Sequence, residues 1–514
     1  MKAIVLNYIK LAFVASAIFC IASCDDYLDE MPSKGRGVPI TKIDQLNGLL
    51  SNMYYLESER NDFAIYASDS HEVTPELYSA NPSLFSPINL SLNLWEVQNA
   101  ENNADNLALW AGEYKKIFTA NIILSAVGDV EGTEGEKNQI KAEAHLLRAY
   151  SYLTLANIYC LPYSERSKSE MGLPIKRSTS YEENVARVSL EETYNFIESD
   201  ILEALKVKTS AKGKRNWRGN IAAANGFAAR FYLSKGDYKQ ALNYANAALD
   251  DYNVLVNYNV DMSTTTLDIT INGSTIPQTV TLSFPHTFDI NIYSGWNLLA
   301  NYTGFYYYRR LFNYNEWFVP SAKLLGLYDQ AYDLRYQYNI VQNYSYYKGM
   351  TDPAYSYPGY CDFNSCSLSG PSSAEMLLIK AECIARDPSL GSVADAMSAV
   401  NTLRAMRFSS SAPADVVNLS AFTGEEAVML ILDERQREMP FTQRWFDIRR
   451  CNSNEVSFDD ITLVKNFYPV QQTAVLEYDP VMEYRIDPSS RRYAMPIPGD
   501  ELVASRGVIK QNTY

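Results

Sequence analysis

Apolar side chains recur at helical spacing over two long stretches of the chain, roughly 106–250 and 372–450. Trp110, Tyr114, Ile117, Asn121 and Leu124 follow one another at steps of four, three, four and three, which puts them on one helix face. From about Lys137 to Tyr159, Leu146, Tyr150 and Leu153 form one stripe. Ala142, Ala149 and Ala156 form the neighbouring one, and these small residues let a second helix come close. A third helix opens on Ser189-Leu190-Glu191-Glu192, a capping-box pattern, and turns Tyr194, Ile197, Ile201 and Leu205 inward. An alanine-rich helix over 220–234 then meets the turn Lys235-Gly236-Asp237. The helix after it carries Tyr238, Ala241, Leu242, Ala245, Ala248 and Leu249. Helix, Gly-Asp turn, Tyr and a seven-residue Ala-Leu repeat predict a tetratricopeptide-like pair. Ser373 to Arg386, then Val393 to Arg407 with Met397, Val400 and Leu403 inward, repeat the plan. Any single helical hairpin packed through alanine reads this way; recurrence in one chain favours a helical-repeat scaffold.

The pattern breaks between residues 251 and 370. This stretch is rich in Tyr, Asn, Ser and Thr, with short strand-like pieces such as Thr279 to Phe284. A long irregular insertion between helical repeats is usually functional. The expected class is mainly α, a repeat scaffold with a loop-rich ligand-binding subregion.

The first residues follow a different logic. Lys2 and Lys10 precede an apolar run from Leu11 to Ile21, which ends in Ile21-Ala22-Ser23-Cys24. A basic start, a short apolar core and a small-residue cleavage site describe a secretory signal peptide. The run is too short to span a bilayer, which takes about 20 residues. Branched, small, small, Cys also fits a lipobox, so residues 1–23 read as a lipoprotein signal and Cys24 as the lipidated first mature residue. Several acyl chains on one residue anchor stably, since each buried methylene contributes about 0.8 kcal/mol. Residues 24–40, beginning Cys24-Asp25-Asp26, read as an acidic tether, and 41–514 as one domain.

The formal charge of −15 becomes −17 when Lys2 and Lys10 leave and the new N-terminus is acylated. Phosphate binding needs Lys/Arg clusters, so nucleic acid is a poor partner for so acidic a chain. Seven cysteines become five once Cys20 is removed and Cys24 is lipidated; no C-x-x-C pair survives, and histidine occurs only at 71, 145 and 286. A zinc site of the usual spacing is therefore not expected. Cys361 and Cys366 can pair in an oxidising compartment or stay as free thiols. The sequence holds no Walker A loop, no G-x-S-x-G and no H-E-x-x-H. Asp69, His71 and Glu72 invite an acid–base reading. A glycosidase, however, needs two carboxylates held about 5–10 Å apart, which spacing along a chain does not establish.

Ordered motifs run nearly end to end. After the lipobox and Cys24-Asp25-Asp26-Tyr27-Leu28 come Ala120-Asn121-Ile122-Ile123-Leu124, Ala142-Glu143-Ala144-His145-Leu146-Leu147-Arg148-Ala149-Tyr150 and Gly172-Leu173-Pro174-Ile175. Glu375 to Glu382, Glu434-Arg435-Gln436-Arg437-Glu438-Met439, Arg444 to Arg450, Pro496-Ile497-Pro498 and Gln511-Asn512 follow. In this order they resemble the SusD/RagB family of nutrient-binding lipoproteins. Two departures are visible: Thr442-Gln443 stands where the family has a longer Glu-Gly step, and Asn512-Thr513-Tyr514 shortens its usual ending.

The resemblance implies four tetratricopeptide-like pairs with irregular segments over them. It also implies a lipid-anchored position in the outer membrane, facing the cell exterior. There the protein would capture an oligosaccharide for a partner TonB-dependent porin, with no catalysis and no cofactor. A peptide ligand, a protein-binding scaffold or adhesin, and an unrecognised glycoside hydrolase are the alternatives. Sugars offer hydroxyls that need hydrogen bonds and C–H faces that aromatic rings can cover; a few polar groups in a mostly apolar site then fix orientation. The candidates are Trp95 with Asn99 in an N-terminal loop, and Trp296, Tyr302, Tyr306, Tyr307, Arg309 and Trp317 in the irregular segment. Trp110, Trp217 and Trp445 read as structural.

Overall fold

The computed structural model describes residues 39–80, 82–180, 182–213, 217–270, 279–287, 304–311, 318–341, 359–360 and 367–514. Lys42–Tyr514 forms one compact unit. Its frame is helical. A short helix α1 (Pro87–Asn93) precedes α2 (Ala104–Ala126), α3 (Glu134–Tyr159) and α4 (Leu190–Ala204). Then come α5 (Ile221–Ser234) and α6 (Tyr238–Asp251), α7 (Ser373–Arg386) and α8 (Val393–Arg404), and α9 (Gly424–Glu438) and α10 (Arg444–Cys451).

The local signals explain where these helices start. Ser189 accepts from the Glu192 amide while the Glu192 carboxylate accepts from the Ser189 amide, the reciprocal cap its sequence predicts. Thr133 and Glu136 do the same for α3, which begins three residues before the periodic stripe suggested. Asn220 caps α5 through the Ala223 amide. The α5–α6 turn closes at Gly236, whose φ of +75° suits a residue without a Cβ.

Helix packs on helix in sequence order: α2 on α3, α3 on α4, α5 on α6, α6 on α7, α7 on both α8 and α9. The alanines of α5 and α6 lie in one large core with the aromatic rings of α3 and α4. Under α7, α8 and α9 a second core gathers Leu378, Ala396, Val400, Leu403, Val428 and Ile431.

Strands are peripheral and pair only in twos, all antiparallel, among the described residues: β1 (Met171–Pro174) with β2 (Arg187–Ser189), β3 (Met262–Thr270) with β4 (Thr279–Thr287), β5 (Ile340–Val341) with β6 (Gly359–Tyr360), and β7 (Leu463–Phe467) with β8 (Met482–Ile486). The β3–β4 hairpin contains the strand expected near Thr279. Cys160, Cys383 and Cys451 are free and buried, while Cys24, Cys361 and Cys366 lie outside the described residues. Among those residues no helix is long and apolar enough to cross a membrane.

Candidate functional site

Part of the irregular segment is drawn into the scaffold as a strand-like ribbon. Residues 305–311 lie between 57–59 on one side and 367–372 on the other. The Glu59 amide donates to Arg310 O at 3.0 Å, the Arg310 amide to Glu57 O at 2.9 Å, and the Leu311 amide to Ser367 O at 3.0 Å. The fit is close enough that a Cβ on Gly370 would stand 1.7 Å from the Tyr307 carbonyl oxygen. Side chains follow the backbone inward. Tyr306, Tyr307 and Tyr308 are buried, and the Arg309 guanidinium lies 3.7 Å from the centre of the Tyr307 ring and donates to its hydroxyl.

These placements correct several expectations. Tyr306, Tyr307 and Arg309 offer no open surface, because the ribbon's backbone pairing turns them into the core. Trp95 is fully buried as well. Its indole N–H donates to Ala67 O at 2.9 Å, and the Lys465 ammonium sits 5.2 Å from its ring centre. It is an anchor rather than a platform, held at a positive φ of 59° at the end of α1. Asn99 is half-buried and donates to Ser91 Oγ at 3.0 Å, bracing the same loop. Trp296, Tyr302 and Trp317 lie outside the described residues. Trp110 and Trp445 are buried, and Trp217 packs on Tyr308, as structural residues should. Asp69 pairs with Arg444 and Lys323. Burial holds the His71 imidazole down to about 3, and the neutral ring accepts from the Val319 amide. With the Glu72 amide donating to Val319 O at 3.1 Å, all three hold chain segments together.

What the structure brings together is the set of points flanking the stretches 312–317, 342–358 and 361–366, the first two of them rich in aromatic residues. Leu311 bonds Ser367, Phe318 O accepts from the Tyr360 amide, and Ile340–Val341 pairs with Gly359–Tyr360. Phe318, Ile340, Tyr360 and Phe441 share one apolar cluster. Beside it opens a cleft lined by Tyr258, Phe305, Asn339, Tyr360, Arg407 and Phe441. Arg407 lies 4.6 Å from the Tyr258 ring centre and is held by Glu438, while Asn339 donates to the Tyr360 hydroxyl at 3.2 Å. Rings, an amide and a guanidinium are a combination that can cover a sugar face and meet its hydroxyls. No sequence signal singles out these six, although Tyr258, Phe305, Asn339 and Tyr360 lie in the irregular segment. Arg407 and Phe441 fall in the second helical stretch, and only long-range pairing assembles them all.

The family-like motifs themselves form a buried charge network. Glu382 meets Arg386 and Arg450, Arg435 meets Asp447, and Glu434 meets Arg335, Arg404 and Arg437. Burial alone would raise these carboxyls, but the guanidiniums outweigh it and hold Glu382, Glu434 and Asp447 below the usual carboxylate range. Among the described residues no cluster of His, Cys, Asp and Glu could hold a metal ion.

Two family models match the chain. One, described as starch-binding and associating with the outer membrane, covers residues 26–233; the other, the SusD family, covers residues 373–514. A SusD-like protein of Formosa agariphila is 26% identical over 451 residues, spanning 81% of this chain and 83% of that one. A SusD superfamily protein of Bacteroides fragilis superposes with a TM-score of 0.61 at 17% identity, covering 91% of this chain and 99% of its own. A laminarin-binding SusD-like protein gives 0.56 at 16% identity, over 92% and 99%. With the helical frame and both ends of the motif series matched, the chain belongs to the SusD/RagB family.

Proposed function

We propose that this protein captures an oligosaccharide or polysaccharide at the bacterial surface and hands it to a TonB-dependent outer-membrane porin without transforming it. Cys24 carries the lipid, the acidic tether holds the body outside the membrane, and Trp296, Tyr302 and Trp317 stack on the glycan. One observation carries this reading: the residues flanking two aromatic-rich stretches, 312–317 and 342–358, converge beside a cleft of rings, an amide and a guanidinium. The described acidic group nearest this chemistry, Glu438, is held by Arg407 and Arg335, which suits a binding role better than acid–base work. Laminarin, named for one structural neighbour, is the first glycan to try.

The test is retardation of the protein in native gels containing plant, host and microbial polysaccharides. Retardation by one glycan class, lost in Trp296→Ala or Trp317→Ala with unfolding unchanged, is the expected result. Binding to a peptide panel with none to glycans would overturn it. Cys24→Ala should release the protein from the membrane fraction, and retention there would remove the lipid anchor from the account.

A further inference from the structure

A second cavity lies on the scaffold side of the cleft, and the two share Arg230, Ser369, Thr442 and Gln443 as a common wall. Its water-accessible volume is about 60 Å³. At roughly 10–15 Å³ per water centre, that is room on the order of five waters, or one small molecule of similar heavy-atom count. Pro162 and Ser453 line both this cavity and an adjoining larger pocket of about 360 Å³.

The walls are short of acceptors. Asn61 is 1% exposed, and neither atom of its amide has a partner. Arg435 spends Nε and Nη2 on Asp447, but its Nη1 has no acceptor. Arg449 also lines the cavity. Its partners are the carbonyls of Tyr493 and Cys160, and none of the described carboxylates pairs with it. The two carboxylates in the wall are already engaged, Asp447 by Arg435 and Arg450, Glu59 by Tyr150 and Ser369. Unmet buried donors beside a guanidinium without a counter-charge are costly unless an occupant supplies both acceptors and negative charge. The adjoining pocket carries both signs of charge, with Arg166 and Arg491 beside Glu170, Glu455 and Asp460, and Arg166 donates to the Ser453 and Asn454 carbonyls.

We propose that this cavity is a binding site for a small oxyanion that still carries a proton, of the hydrogen phosphate kind. Arg435 Nη1 and Asn61 Nδ2 donate to its oxygens, Asn61 Oδ1 accepts its proton, and Arg449 balances its charge. Sulfate at neutral pH meets the donors but leaves Asn61 Oδ1 unpaired. The site does not rest on the glycan reading, since Asn61, Arg435 and Arg449 line this cavity and not the cleft.

The full-length protein is titrated calorimetrically with sodium phosphate, sodium sulfate and sodium chloride at equal ionic strength and pH 7, alongside Asn61→Ala, which breaks no ion pair. Phosphate should bind saturably, at least tenfold tighter than sulfate, and Asn61→Ala should weaken it at least tenfold with an unchanged unfolding midpoint in chloride. Equal heats for phosphate and chloride, equal affinity for sulfate, or an Asn61→Ala protein that binds as the parent does would each overturn the assignment and leave the cavity to water.

Discussion

The α5–α6 pair and the α9–α10 pair are built by opposite means. Between α5 and α6 the contact surface is alanine, with Ala222, Ala223, Ala228, Ala229, Ala241, Ala245 and Ala248 all buried, so the helices meet through shape. Around α9 and α10 the buried positions include Glu434, Arg435, Gln436, Arg444, Asp447 and Arg449, so those helices meet through charge. A shape contact loses stability in step with the volume changed. A buried charge contact fails when one partner is lost, because the others are then stranded in a medium that solvates them poorly. The first surface resembles other helical pairs, whereas the second fits only its own complement.

Removing one charge should therefore have the largest effect. Glu434 is fully buried and meets Arg335 at 2.8 Å, Arg404 at 2.6 Å and Arg437 at 2.8 Å. Glu434→Ala should destabilise by ~3–5 kcal/mol, the usual cost of breaking a buried pair, measured by urea unfolding. A loss below ~1 kcal/mol would mean the arginines reach water and that the contrast with α5–α6 is not electrostatic.

Acid should expose the same contrast without mutation. Burial opposes ionisation of Glu382, Glu434, Glu438 and Asp447, yet their arginine partners hold all four below their ordinary values. A carboxyl whose folded pKa lies below its unfolded one contributes stability that is complete above the unfolded value, near 4, and is lost as pH falls towards the folded value. Stability should thus be flat down to about pH 5 and fall below about pH 4. Hydrogen exchange should show α9 and α10 opening before α5 and α6. Simultaneous opening would make the two pairs one cooperative unit.

How much of this was legible follows from the same division. Periodicity and caps located α2 to α8, because those signals are local: Ser189 with Glu192, Asn220, and Gly236 act within a few residues. The charge network was visible only as motif strings, since Glu434 meets Arg335 from 99 positions away in sequence, and no spacing rule predicts that pairing. Aromatic density overestimated exposure. Tyr306 and Tyr307 sit in a stretch that reads as loop, and it is pairing with residues 57–59 and 367–372 that buries them. Trp95 misled for the same reason, because its indole partner, Ala67 O, lies in another turn.

A smaller effect is expected on the shape side. Ala245 is fully buried in α6. Ala245→Leu adds three heavy atoms where α5 and α7 leave no room, and overpacking of this kind typically costs ~1–3 kcal/mol. Thermal unfolding compared with Ala245→Ser, which stays small, separates volume from chemistry. If the leucine is neutral, α6 can slide, and the alanine surface specifies proximity without register.

The smallest loss should come from a purely local device. Ser189→Ala removes the hydroxyl that accepts from the Glu192 amide at 3.1 Å, an end effect worth ~1 kcal/mol in helices of many proteins. Two features could make this cap more than local. Ser189 pairs with Met171 in the β1–β2 ribbon, and its carbonyl accepts from Thr193, whose hydroxyl in turn accepts from the Leu173 amide. All of these use backbone atoms that alanine keeps, so the substitution isolates the side-chain cap. A loss near ~1 kcal/mol that Ser189→Asp restores would place α4 among the elements fixed by their own sequence. A loss above ~3 kcal/mol would mean that the ribbon depends on the cap's geometry and that α4, like α9, is held from a distance.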